Sequence, residues 1–216
     1  MLAMPITKAS SVFILVVLVL SGCATRPAAP ENSPFYEANI RSLLVVPVVN
    51  NSLNVDAPNY MLSTLTIPLA EKGYYVFPVN TVKVVLEQEG FYEAAVIHQQ
   101  DSAALAALFE ADAILYVTIN RWDAQYAVFS TVVTVDFNYR LVSRDGQEIW
   151  QTQKHMQYQP QNNNSSGNAM ADLIGAAIQA ALTKAAPNYM PLTEQANDAV
   201  IGTIPPGPYL IRKEKN

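Results

Sequence analysis

From Ala127 to Leu141 the chain alternates with a period of two. The odd positions are Ala127, Phe129, Thr131, Val133, Val135, Phe137, Tyr139 and Leu141, and the even positions include Ser130, Thr134, Asp136, Asn138 and Arg140. Successive side chains of a strand point to opposite faces, so this is a long strand with one buried and one wet face. Arg144-Asp145-Gly146 is a hairpin turn signal, and Glu148 to Tyr158 reads as the return strand. These strands are expected to pair antiparallel through turns at 121–125 and 143–146.

Upstream the pattern differs. Leu43 to Val49 is a continuous apolar run ending in Asn50-Asn51-Ser52, as in a strand buried on both faces. Pro47 lacks an N–H and is expected near the strand's end or where no ladder bond is needed. Pro58 to Glu71 reads as a helix with Met61, Leu62, Leu65 and Leu69 at helical spacing, tightened by Pro68 and stopped at Gly73. Tyr74 to Val79 reads as a second strand. Thr81 is expected to cap a helix carrying Val82, Val85 and Leu86 and ending at Gly90. Asp101 or Ser102 caps another, with Leu105, Leu108 and Phe109 inward, and Ala113 to Ile119 is the third strand. The fold class is therefore α/β (α+β). Its mixed sheet has a parallel part, β-α-β-α-α-β, then an antiparallel hairpin and a C-terminal helix packed on the sheet. Strands near 43–49, 74–79 and 113–120 should lie parallel, because helices connect them. Those near 127–142 and 147–158 should extend the same sheet.

After the hairpin comes the polar loop 161–167, then a small-residue helix, roughly Asn168 to Ala186, with Ile174, Ile178 and Leu182 four apart. This helix is expected on the covered face of the sheet. The even positions then face outward with Val128 and Val132 among them, a surface suited to self-association or partner binding. Pro187, Pro191, Pro205, Pro206 and Pro208 make the end of the chain read as an extended strap, frayed from Arg212.

The chain's one cysteine, Cys23, follows Leu20-Ser21-Gly22 at the end of the nine-residue apolar run Val12 to Leu20, which Lys8 precedes. This order reads as a secretory signal, and the run is too short to span a bilayer that needs about 20 residues. A cysteine at that point resembles the lipoprotein type of signal, in which Cys23 becomes the first mature residue and its sulfur carries a diacylglycerol. Two or more acyl chains, at about 0.8 kcal/mol per buried methylene, hold stably. Ala24, in place of an aspartate, favours the outer membrane by analogy with a sorting rule. Residues 24–34 are Pro- and Ala-rich and read as a tether of at most roughly 35–40 Å. The expected organisation is a signal peptide at 1–22, lipidated cysteine and tether at 23–34, a single periplasmic α/β domain at 35–190, and a Pro-rich strap and tail at 191–216.

Loss of the signal removes Lys8 and takes the net charge from −5 to about −6. An acidic domain of this kind is a poor nucleic-acid binder, which needs basic patches. With Cys23 lipidated no disulfide is available, so the fold stands on packing, for which half of the residues are hydrophobic.

Catalytic signals are thin. His98 and His155 read as surface histidines, neither with a second histidine at i+3 or i+4, so metal-ligand spacing is absent. There is no Gly-x-Ser-x-Gly elbow and no phosphate-cradling glycine loop. Glu87 and Glu89 are two apart on a helix and point to different faces. Trp122-Asp123 reads as aromatic packing over the sheet end, with a recognition loop as the other reading. Tyr74, Tyr75, Phe77, Phe91 and Tyr92 read as core plus rim. The expectation is a protein that is not an enzyme, with no cofactor and no metal.

Several blocks together resemble a known family: Leu44 to Ser52, Pro68 to Pro78, Ala111 to Val117, the later Trp122, and Gly207-Pro208-Tyr209. They are similar to a bacterial lipoprotein family of unknown function, of the meningococcal lipoprotein-antigen type. More distantly, the element order resembles the curli-secretion lipoprotein CsgG, the peptidoglycan-synthase activator LpoB and the amino-terminal domain of TolB. The resemblance implies an outer-membrane lipoprotein, its domain facing the periplasm, that acts as an accessory or scaffold in envelope assembly or export. It implies a CsgG-like lipoprotein partner or self-association. The LpoB likeness implies the alternative, a regulator that activates a peptidoglycan-synthesising enzyme.

Overall fold

A computed structural model of the chain describes residues 34–127, 130–158, 173–176, 178 and 189–213. The expected signal segment, Cys23, the tether up to residue 33, Val128 and the polar loop lie outside these residues.

One sheet carries every described strand. β1 (Ser42–Val45) lies between β3 (Tyr75–Val76) and β4 (Ala113–Ala127), parallel to both, and β2 (Val49–Asn50) also runs parallel to β4. β5 (Ser130–Ser143) and β6 (Glu148–Tyr158) extend the sheet antiparallel. Parallel and antiparallel parts thus share one sheet, as the two hydrophobic periods predict. The helices with described bounds are α1 (Pro34–Glu37), α2 (Ala57–Glu71), α3 (Val79–Gln88), α4 (Ala94–Ile97), α5 (Ser102–Phe109), α6 (Met190–Ile201) and α7 (Pro208–Lys213). Residues 173–176 and 178 are also helical, and the rest of the helix expected over 168–186 lies outside the described residues.

Two apolar layers sandwich the parallel half. Leu43, Val45, Leu115, Val135, Phe137 and Tyr139 face Met61 and Leu65 of α2, Leu192 and Ala196 of α6, and Ile178. On the other side Leu44, Val46, Ile114, Tyr116 and Val142 lie under Val82 and Leu86 of α3, Ile97 of α4 and Leu105 of α5. This double cover is why the run beginning at Leu43 is uninterrupted while β5 alternates. Helices thus reach part of the face expected to be wet and bury Val142 there, and Thr134 on the same face is buried too.

Four details differ from the sequence reading. The apolar run at 43–49 is not one strand. It is interrupted at Pro47, and its register against β4 slips by one between Val45↔Leu115 and Val49↔Thr118, because proline has no N–H for the ladder. Residues 121–125 are not a turn. β4 runs on to the pair Ala127↔Ser130, with a bulge between Ile119 and Arg121. The extra residue moves the inward position from odd to even, so Ile119 and Trp122 both face the same core. Thr81 lies inside α3 with Pro78 as its N-cap, while Asp101 does cap α5 through the Ala103 N–H at 3.0 Å. Leu108 and Ile174, expected inward, are exposed, whereas Ile178 is buried.

The largest difference is at the C-terminus, where the expected strap at 191–216 contains α6 and α7. Pro191 sits in the first turn of α6, where a missing N–H costs nothing. Leu192, Ala196 and Val200 repeat every four residues and bury one stripe, so the core extends past residue 190. Residues 202–210 then close on α2 and β3. Lys72 Nζ donates to the Gly202 and Ile204 carbonyls at 3.0 and 3.1 Å, and the Tyr74 hydroxyl to the Pro205 carbonyl at 2.8 Å. The Gly207 N–H donates to Lys72 O at 2.7 Å and the Tyr209 N–H to Gly73 O at 3.2 Å.

Candidate functional site

The even face of β5, beyond the cover of α3 to α5, is a polar grid. Register sets its rows across β4, β5 and β6: Tyr116–Arg140–Gln151, then Thr118–Asn138–Gln153, then the bulge residue Asn120 beside Asp136 and His155. A strand face that alternates with a buried one collects whatever polar groups the sequence puts at every second position.

At one end of the grid Asp136 accepts from Gln153 Nε2 at 2.9 and 3.1 Å and from Asn120 Nδ2 at 3.2 Å, with His155 Nδ1 3.7 Å away. Burial pushes this carboxyl up, but the bonds from Gln153 and Asn120 and the nearby His155 outweigh it and hold the group below its ordinary value. Its charged form is therefore the resting one. At the other end the His98 ring stands edge-on to Tyr116, 5.0 Å between centroids, and the Arg140 guanidinium lies 4.6 Å from the Tyr116 ring centre. The Tyr116 hydroxyl is 3.0 Å from Ser102 Oγ. A cleft of about 440 Å³ opens between His98, Thr118, Asn138, Arg140, Gln151 and Gln153.

His98 is not the surface histidine expected from the sequence. It is partly buried, and its Nε2 lies 2.9 Å from the Pro47 carbonyl. A carbonyl only accepts, so Nε2 carries the proton. Burial pushes the imidazole down from its usual value, the Pro47 bond raises it in part, and Arg140 adds to the depression. The unfolded imidazole takes its proton near pH 6.5 while the folded one resists it, so stability conferred by neutral His98 is present above that pH and is lost as pH falls from there through the lower folded value. His98→Gln is expected to remove this part of the acid sensitivity. Unfolding midpoints between about pH 5 and 8 check it; an unchanged slope in the variant would count against the assignment.

The other sequence candidates are spread out. His155 is exposed on β6. Glu87 pairs with Lys83 at 3.8 Å along a solvated stretch of α3, and Glu89 ends that helix, exposed. Trp122 is buried within β4, stacked on Tyr60 and edge-on to Tyr189, with centroids 6.0 and 5.5 Å away. The recognition-loop reading of Trp122 is therefore set aside. Tyr74 is core, and burial pushes its phenol far up, with Tyr36 adding to this. Tyr75 and Tyr92 are exposed rim. Asp112 went unnoticed in the sequence. Its carboxylate accepts from the Arg41 and Ser42 N–H groups at 3.0 Å each and from the Arg144 guanidinium, clamping β1, β4 and the β5–β6 turn together. Its place in the block Ala111 to Val117 was the available signal. Among the described residues no group of three or more His, Cys, Asp or Glu is placed to hold a metal ion, and no helix is long and apolar enough to cross a membrane.

Comparisons with known proteins agree with this frame. A Neisseria meningitidis serogroup B protein named "Putative lipoprotein NMB1124/NMB1162" is 36% identical over 172 residues, covering 79% of this chain and 77% of the relative. The crystal structure of lipoprotein GNA1162 from Neisseria meningitidis is 35% identical, covers 65% of this chain and 96% of its own, and superposes with a TM-score of 0.54. The C-terminal domain of LpoB from Salmonella enterica is 20% identical, covers 54% of this chain and 82% of its own, and reaches a TM-score of 0.36, a likeness that bears on neither role nor partner. The family described as "Putative lipoprotein GNA1162-like" matches residues 31–210, and the chain belongs to it.

Proposed function

We propose that this protein is a lipid-anchored envelope lipoprotein, acylated on Cys23 and held at the outer membrane with its domain in the periplasm. There it serves as a non-enzymatic accessory or scaffold in an assembly or export system, working with a CsgG-like lipoprotein. The observation that carries the reading is membership of a lipoprotein family by a chain whose one cysteine follows an apolar run and the two small residues Ser21 and Gly22. The Pro- and Ala-rich stretch after Cys23 is read as the tether, and the family match beginning at residue 31 is in keeping with a domain that follows it. Ala24, in place of an aspartate, favours the outer membrane over retention at the inner one, by analogy with a sorting rule. A scaffold role is supported by how the polar groups are used. Asp112 binds strands together, Asp136 is held by two side-chain amides, and His98 bonds a backbone carbonyl.

Cys23→Ala is expected to abolish lipid attachment and leave the precursor uncleaved. Metabolic acyl labelling with membrane fractionation checks this, and label retained in the alanine variant would sink the anchor. Pull-down from crosslinked envelopes tests the role separately. A CsgG-like or export component supports the scaffold reading, and a peptidoglycan synthase replaces it with the regulator.

A further inference from the structure

Beyond that reading, and independently of it, we propose that the cleft at Arg140 is a binding site for a carboxylate group. The first ground is an unmatched cation. Arg140 is half-buried, lies over Tyr116, and is in none of the four ion pairs found among the described residues. No protein acceptor among those residues takes a hydrogen bond from its guanidinium. The planar N–H fork of the guanidinium, bonded to no protein oxygen among those residues, matches a planar carboxylate.

The second ground is what surrounds it. Cross-strand pairing puts Gln151 directly beside Arg140, and Asn138 and Gln153 in the next row, so side-chain amides line the same cleft. At about 440 Å³ it has the size of a small-molecule site. The third ground is the limit on charge. One cation faces the cleft, and Asp136, kept in its charged form, lies four residues along the same strand face, about 13 Å away. A single negative charge is therefore matched, while a phosphate dianion is not. His98, held neutral at the cleft's rim, adds no second positive charge.

Two sources offer such a group: the carboxylate of an acylated amino acid and that of a sugar acid. The test is calorimetric titration of the detergent-solubilised full chain with N-acetylglycine and with glucuronate. N-acetylglycinamide, glucose and inorganic phosphate serve as comparisons. At least one carboxylate is expected to bind, its uncharged counterpart about tenfold more weakly, and phosphate no more tightly. Binding of N-acetylglycine alone assigns a peptide source, and binding of glucuronate alone a saccharide one. Arg140→Gln is expected to weaken binding about tenfold with the unfolding midpoint unchanged, and Arg140→Lys, which keeps charge without the fork, to fall between. Should Arg140→Gln fail to fold, the lysine variant and the uncharged ligands decide. No binding of either carboxylate, equal binding of the uncharged forms, tighter binding of phosphate, or full affinity in a folded Arg140→Gln overturns the proposal.

Discussion

Asn197→Leu is expected to lower the unfolding free energy by about 2–3 kcal/mol, although leucine is the more apolar residue. Asn197 is fully buried on α6. Its Oδ1 accepts from the Tyr139 hydroxyl of β5 at 2.7 Å, and its Nδ2 donates to Thr64 Oγ1 of α2 at 2.9 Å. Thr64 in turn donates to the Tyr60 carbonyl at 2.8 Å. One amide therefore joins both helices to the sheet within the core. Leucine leaves the Tyr139 hydroxyl with only the Met61 sulfur, at 3.8 Å. Tyr139→Phe alone strands the amide oxygen and is expected to cost about 1–3 kcal/mol. The double variant removes both partners, so it should be more stable than Asn197→Leu alone. Urea unfolding of all four forms measures the coupling. Simple additivity would mean that Asn197 and Tyr139 do not act as one unit.

The second large effect is at the closure of the C-terminal segment. Gly73→Ala is expected to destabilise by about 3 kcal/mol, from a left-handed backbone and a steric collision together. Gly73 has φ +87°, and a Cβ there would come within 2.6 Å of Leu210 Cβ. Gly207 faces it, and a Cβ on Gly207 would lie 2.6 Å from the Gly73 carbonyl carbon. The comparison is Gly90→Ala, at φ +89° with nothing within 4 Å, which should cost only the backbone strain, about 1 kcal/mol. Thermal unfolding separates the two. Equal losses would show that the contact with 207–210 contributes nothing.

Two of the blocks that carried the family resemblance, Pro68 to Pro78 and Gly207 to Tyr209, thus meet in space. Their residues were legible in the sequence, and their contact was not, because nothing local links positions 130 apart. The alternation of β5 was readable because a wet face and a buried face differ at every step. The bulge was not, since one inserted residue breaks a period just as a turn does. α6 was hidden by weight of proline, although Leu192, Ala196 and Val200 carried the helical spacing. The polar grid depends on register across three strands, and a one-residue slip would scatter it. Each row residue was visible in the sequence, but no pattern within one strand shows that Arg140 lacks an acidic neighbour.

The described chain enters the domain at α1, where Phe35 packs edge-on against Tyr74 beside the start of β1, and β4 begins in the same neighbourhood at the pair Leu43↔Ala113. From there β4 runs 15 residues, roughly 50 Å at 3.3 Å per residue, so the hairpin end lies far from the point of entry. Under the lipid-anchored reading the domain is a ruler. Its far end reaches a depth in the envelope bounded by covalent lengths, a strand of roughly 50 Å plus a tether of at most roughly 35–40 Å. Shortening the tether would lower that reach by at most roughly 3.3–3.6 Å per residue removed.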